Sequence, residues 1–528
     1  MTEDLAQAQQ PEAPTGAPHS DKLDARVLII AGVVVVGSIM SILDITVVSV
    51  ALTTFQSTFH ASAAQVAWTM TGYTLALAAV IPATGWAAER FGTKRLYLAA
   101  IVFFAVGSAM CATASNLEML VLWRVVQGFG GGMLMPIGMT ILTRAAGPDR
   151  VGRVMAVLGI PMLLGPICGP ILGGLLIDKA SWHWIFLINV PIGIAAFIYA
   201  LLALPQDKPQ ATERFDLLGM VLLSPGLALL LYGVSSVPEE GTFWAAKVMI
   251  TAIAGVVLIV AFVFWALSKR NPEPLVDLRL FKNKDLTVSV VTMALFCMAF
   301  FGCSLLIPLY FQQVRGETAL AAGVLLIPQG IGAMVTMPIA GVLADKIGPG
   351  KIVMSGIVLI VISFAMWAPL DGHTSYPYLL GALFVQGLGM GMTMMPTFSA
   401  GLATLRDHTI ARGSTLMNIN QQVAGSIGTA VFTVLLTNGL TGNSTLKLAS
   451  AVDQAGNDQS LLASVLQKFG VSADKLPSLL AGAPDEMGGV FGNVFIVAAV
   501  LAACCLIPAF FLPRHAAEKT GDQPVMMH

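Results

Sequence analysis

Charge is what this sequence has least of: Asp, Glu, Lys and Arg together make up 11% of its 528 residues, where an ordinary soluble chain carries about a quarter. That scarcity excludes a soluble globular domain and equally a disordered or collagen-like chain. Cysteine is also sparse. The six present, Cys111, Cys168, Cys297, Cys303, Cys504 and Cys505, all sit in apolar stretches, where the residue behaves as a small buried hydrophobe, so neither disulfides nor a metal site is expected. Lys and Arg number 28 against 29 Asp and Glu, which leaves no positive field for nucleic acid. No Cys/His spacing suits zinc, and no HExxH or nucleophile-elbow pattern appears. Rings of like charge and a carbonyl filter are missing too. An enzyme and a channel are therefore both disfavoured, and no cofactor is expected.

What the sequence has in abundance is apolar length. Hydrophobic residues make up 56% and mean hydropathy is +0.80. Apolar runs fall at about 27–51, 64–87, 95–114, 117–142, 151–177, 184–204, 215–235, 245–268, 286–312, 320–343, 351–370, 378–404, 411–436 and 489–512. Each is close to the roughly 20 residues that cross a bilayer as a helix, and the ten-residue alternation of a membrane barrel is absent. The chain reads as an all-α polytopic membrane protein with fourteen spans. Residues 1–26 and 513–528 are polar and predict cytoplasmic tails, the first one disordered. With both ends inside, the inner segments hold 21 Lys and Arg and the outer ones six, the asymmetry expected of a multi-pass protein of the plasma or inner membrane.

Two stretches recur. Gly85-Trp-Ala-Ala-Glu89-Arg90-Phe-Gly92 matches Gly341-Val-Leu-Ala-Asp345-Lys346-Ile-Gly348, and Gln127-Gly-Phe-Gly-Gly-Gly-Met133 matches Gln386-Gly-Leu-Gly-Met-Gly-Met392. Such internal repetition marks duplicated halves. Residues 27–204 form a first six-helix bundle and 286–512 a second, in the same orientation. Residues 205–285 link them through two further spans, and a long extracytoplasmic loop covers about 437–488.

These motifs resemble the major facilitator superfamily, and within it the fourteen-span drug:proton antiporters of the EmrB/QacA type. The resemblance also rests on Leu43-Asp44-Ile-Thr46, on Arg124 with Gln127-Gly128, on Gly165-Pro166-Ile-Cys-Gly169-Pro170-Ile-Leu-Gly173-Gly174, and on Trp182-His-Trp-Ile-Phe-Leu-Ile-Asn189-Val-Pro191. Two departures stand out. Glu89 replaces the usual Asp, and Leu383 occupies the place matching Arg124. The resemblance implies a major facilitator fold and proton-coupled export of amphipathic drugs or toxic compounds by alternating access. An exporter of one lipid, siderophore or secondary metabolite is the alternative. The partners implied are an amphipathic small molecule, protons and the lipid bilayer, with a periplasmic adaptor if the cell is Gram-negative and a monomer otherwise.

Individual residues carry separate expectations. Asp44 is the one acid well inside a span, about 27 Å from the inner end at 1.5 Å per residue, and a buried carboxylate near a cation suits proton exchange. Arg124 lies roughly 12 Å in from the opposite side, close to the same level, so the two are expected to pair and couple. Ser115 and Glu118 have capping-box spacing. Glu89, Arg90, Asp345 and Lys346 are expected to gate, besides setting topology. Gly165, Gly169 and Gly173 share one helix face and Pro166 and Pro170 bend it, which suits a seal between the halves or plain packing. Gln127, Gln329, Gln386, Met390, Met394, Asn418 and Gln422 suit a polyspecific cavity, though Met stripes are more often core. Leu461, Leu462, Val465 and Leu466 suggest a short amphipathic helix in the long loop.

Overall fold

The computed structural model describes residues 24–147, 150–206, 215–240, 242–405, 407–455, 459–469 and 471–514. Most of both tails, together with Lys208, Arg214, Arg406 and Lys519, lies outside these. The described residues are all helix and connection, with no strand, since a backbone in hydrocarbon must satisfy its hydrogen bonds within each segment.

The first bundle comprises α1 (Ala25–Val50), α2 (Ala63–Phe91), α3 (Thr93–Cys111), α4 (Leu117–Ala146), α5 (Val151–Lys179) and α6 (Asn189–Ala203), the last led in by a short helix, Trp184–Leu187. The linker pair is α7 (Leu217–Ser235) and α8 (Ala246–Leu267). The second bundle comprises α9 (Lys284–Gln313), α10 (Ile327–Ile347), α11 (Pro349–Met366), α12 (Tyr376–Ala403), α13 (Asp407–Gly442) and α14 (Leu476–Cys504). Thirteen helical segments among the described residues are long and apolar enough to span a membrane; α5, a continuous 29-residue helix, occupies the fifth expected position.

The repeat is visible in backbone detail. Gly92 and Gly348 end α2 and α10, and both have φ +89°, a conformation that only glycine enters without strain; each allows an abrupt reversal into the next helix. Gly128 and Gly132 of α4 press against the carbonyls of Tyr73 and Leu77 in α2, and Gly387 and Gly391 of α12 press against those of Gln329 and Ala333 in α10. A Cβ at any of the four runs into neighbouring backbone, so the glycines let these helices approach closely.

Three expectations change. α13 runs to Gly442 and α14 starts at Leu476, and between them lie the helices Ser444–Ala455 and Gln459–Phe469. The long loop is thus shorter than 437–488, because helical hydrogen bonding continues past the apolar residues that hydropathy detects; the second short helix holds Leu461–Leu466, and the first was unforeseen. Glu118 is in the first turn of α4, but the cap is Asn116, whose Oδ1 accepts from Met119 N at 2.8 Å, not Ser115. Finally, Gly165, Gly169 and Gly173 meet Ile42, Thr46 and Val47 of α1, and Thr46 Oγ1 donates to the Gly165 carbonyl at 3.1 Å. The glycine face packs inside the first bundle, not between the halves. α5 meets the second bundle through another face, with Gly152 against Gly341 and Asp345 and Gly159 against Met337.

The linker is fastened at both ends. Trp68 stacks on Tyr232 at 5.4 Å and Trp86 lies 4.5 Å from Phe215, which holds α7 along α2. Asp216, the N-cap of α7, accepts from Gly219 N, Trp265 Nε1, Asn271 Nδ2 and Leu275 N at 2.8–3.1 Å, so one buried carboxylate ties the start of α7 to the end of α8 and the chain beyond it.

Candidate functional site

Asp44 and Arg124 are each 1% exposed and in direct contact, with Arg124 Nη1 2.5 Å from Asp44 Oδ2. The second carboxylate oxygen accepts from Gln127 Nε2 at 2.8 Å and Asn189 Nδ2 at 3.1 Å. Arg124 also donates from Nε to the Thr69 carbonyl at 3.1 Å and from Nη1 to Gln127 Oε1 at 2.7 Å. Its guanidinium lies 4.2 Å from the centre of the Tyr73 ring, and the Tyr73 hydroxyl is 3.2 Å from Ser41 Oγ. Asn189 is itself held by Ser108, its Nδ2 donating to Oγ at 3.1 Å. The carboxylate therefore joins α1 to α4 and α6, and Arg124 extends the network to α2. Arg124 and Gln127 reach the carboxylate together because they are one turn apart on α4. Asn189 stood in the sequence only as part of the Trp182–Pro191 motif and was not expected at this site; its signal was a polar side chain amid the apolar run at 184–204.

The matching place in the second bundle is neutral. Leu383 stands where Arg124 would, and Gln386 is fully buried with neither amide atom hydrogen-bonded among the described residues. Met390 and Met394 are buried in the apolar core that runs through both bundles. Gln329 is half-buried. Gln127 is part of the Asp44 network and fully buried.

At the end of the molecule that holds Arg90, Arg150, Lys346 and Arg412, here called the basic end, ion pairs join the bundles. Glu89 of α2 accepts from both Nε and Nη2 of Arg412 in α13 at 3.2 Å. Asp345 of α10 lies 3.4 Å from Arg153 Nε in α5 and accepts from the backbone N–H of Gly152 and Arg153 at 2.9 and 3.3 Å. Asp345 thus sits on the N-terminus of α5, where the helix dipole favours an anion. Above these pairs the seam is closed by Ser414 Oγ donating to the Pro136 carbonyl at 3.0 Å and by Asn418 Nδ2, 3.4 Å from Met139 Sδ. Asn418 therefore belongs to the inter-bundle contact. Gln422, one turn on, lines a cavity of about 340 Å³ between α13, α9 and α7.

Replacing Arg124 by Lys keeps the charge but not the fork that reaches Asp44, Gln127 and Thr69 at once. The expected loss is about 1.5–3 kcal/mol, that of a hydrogen bond to a charged group, or a ten- to hundredfold fall in transport, with a larger fall for Arg124→Ala. Initial uptake rates in vesicles at matched expression test this; an undiminished Lys variant shows the fork to be dispensable.

The comparisons with known proteins agree with this architecture. Residues 34–429 match the family model described as Major Facilitator Superfamily. The chain is 46% identical over 525 residues to "Multidrug resistance protein B homolog" of Mycobacterium tuberculosis, covering 97% of this chain and 96% of that one. It is 33% identical over 422 residues to "Multidrug export protein EmrB" of Escherichia coli, covering 78% and 81%. Among solved structures, the human organic anion transporter MFSD10 superposes with a TM-score of 0.58 at 15% identity, covering 91% of this chain and 100% of that one. The proton:xylose symporter XylE does so at 0.54 and 13%, covering 91% and 96%; both likenesses concern the fold alone. Two repeated six-helix bundles, a linker pair and relatives alike over nearly the whole chain make one conclusion: this chain belongs to the Major Facilitator Superfamily, alongside EmrB-type transporters.

Proposed function

We propose that the protein exports amphipathic organic compounds in exchange for protons, by alternating access. The observation that carries this reading is the Asp44 carboxylate, buried and held by donors from two other helices. Protonation removes the charge that gathers Arg124, Gln127 and Asn189, and loosens four helices of the first bundle together. The neutral counterpart around Gln386 has no such charge to lose. The first bundle is then the proton-responsive half, and the ion pairs Glu89–Arg412 and Asp345–Arg153 are the latch that holds the basic end shut and parts when cargo loads from that side. The excess of Lys and Arg on inner segments supports a cytoplasmic basic end, cytoplasmic termini and a plasma or inner membrane location. The relatives named as multidrug resistance and export proteins support an organic cargo. An adaptor protein as partner is proposed for a Gram-negative cell only.

The test is export by the full chain in proteoliposomes under an imposed pH gradient, with lumenal pH followed alongside cargo. Cargo should move only with a counterflow of protons. Neutral and singly charged compounds should be exported, and matched dications should move at least tenfold more slowly. The reason is charge: Asp44 is occupied by Arg124, and charge at membrane depth is expensive without a partner. Dications moving as fast as monocations would place the binding site beside some other acid.

A further inference from the structure

We infer that the 340 Å³ cavity between α7, α9 and α13 is a binding site for an uncharged amphipathic ligand bearing amide or hydroxyl groups, with the linker helix α7 as its side wall. The inference deepens the exporter reading by naming a ligand class. Its first support is continuity. Ser414 and Asn418 place one face of α13 against Pro136 and Met139 of α4, and the helical repeat carries that face on to Gln422, Gly425 and Thr429. Beyond Asn418 the wall opposite changes. The cavity is flanked by Val234 and Ser235 from the end of α7 and by Phe301 from α9, so it extends the seam between the bundles sideways to the linker.

Its second support is chemistry. No ionisable side chain lines the cavity, so nothing there offsets the desolvation of a charged ligand. Gln421, Gln422 and Ser426 are half-buried and make no side-chain hydrogen bond among the described residues. Each glutamine presents two donors and an acceptor. Phe301, Val234 and Ala430 supply the apolar surface. Polar groups converging on an apolar pocket of this volume are the ordinary make-up of a small-molecule site.

Its third support is that the side wall is held in place. The end of α7 is pinned to the first bundle by Trp68 against Tyr232. It is pinned to the second by the cluster of Val237 and Val248 with Ala430 and Val434.

Photolabelling of the full chain in phosphatidylcholine nanodiscs tests the site without any proton gradient, so it can fail while export stands, or succeed while export fails. Two uncharged diazirine probes are used, an N-alkyl amide and a monoacylglycerol. At least one should label the stretches around 230–236 and 421–430. Ser235→Trp fills the cavity from an exposed position and should reduce that labelling at least tenfold. Gln422→Leu should weaken the hydrogen-bonding probes while leaving labelling by an apolar alkyl diazirine unchanged. A site labelled by the glycerolipid and not displaced by the amide holds a membrane lipid; one from which the amide displaces the glycerolipid serves exported cargo; both uphold the site. Labelling spread evenly over lipid-facing helices, or untouched by Ser235→Trp at normal expression, overturns it.

Discussion

Asp44→Asn is expected to reduce proton-driven export to the background of empty vesicles, a loss of at least a hundredfold, while the protein still inserts and still binds cargo. Asparagine keeps the shape of the side chain and can hydrogen-bond Gln127 and Asn189 by turning amides over, but it cannot take up or release a proton. Arg124 keeps its bonds to the Thr69 carbonyl and to Gln127, so the guanidinium is not stripped of partners. The measurement is dye uptake by energised vesicles across a pH series, with cargo binding measured separately on purified protein. Binding retained and transport lost is the expected pair of results. Wild-type export by the Asn variant would remove Asp44 from the coupling mechanism.

The second large effect is expected at the basic end. Glu89→Lys sets two cations against each other where Arg412 is 13% and Glu89 2% exposed in their side chains. Breaking a pair so enclosed costs about 3–5 kcal/mol, enough to turn a closed latch into an open one. Arg412→Glu should do the same with the opposite sign. The double variant restores attraction and should recover most of the export that each single variant loses. Distances between spin labels across the basic end should lengthen in the singles and return in the double. Residues in contact show such non-additivity, and distant ones do not. Two single losses that simply add in the double variant would show that the pair does not hold the bundles together.

The residues behind these two experiments differ in how legible they were. Asp44 and Arg124 were legible because charged residues inside spans are rare and a helix rises a fixed 1.5 Å per residue, so counting in from each side brought them to one level. Arg412 and Arg153 were not picked out as partners, although a signal existed. They are 259 residues apart, the same separation as Gln127 and Gln386, so the repeat itself relates them. Read as loop charges that set topology, they looked like any other inner Lys or Arg.

Sequence alone determined that the chain is helical and polytopic, which segments repeat, and that Asp44 and Arg124, the charges well inside spans, lie at one depth. Each of these follows from length and hydropathy measured against a bilayer of known thickness. Tertiary structure decided what rotation about each helix axis brings together. It turned the Gly165–Gly173 face towards α1, sent Met390 and Met394 into the core, added Asn189 to the carboxylate, and set α7 as a wall beside Gln422. In the membrane, lipid is as apolar as the side chains it meets, so hydropathy says little about which face of a span turns inward. Close packing and hydrogen bonds between helices far apart in sequence make that choice.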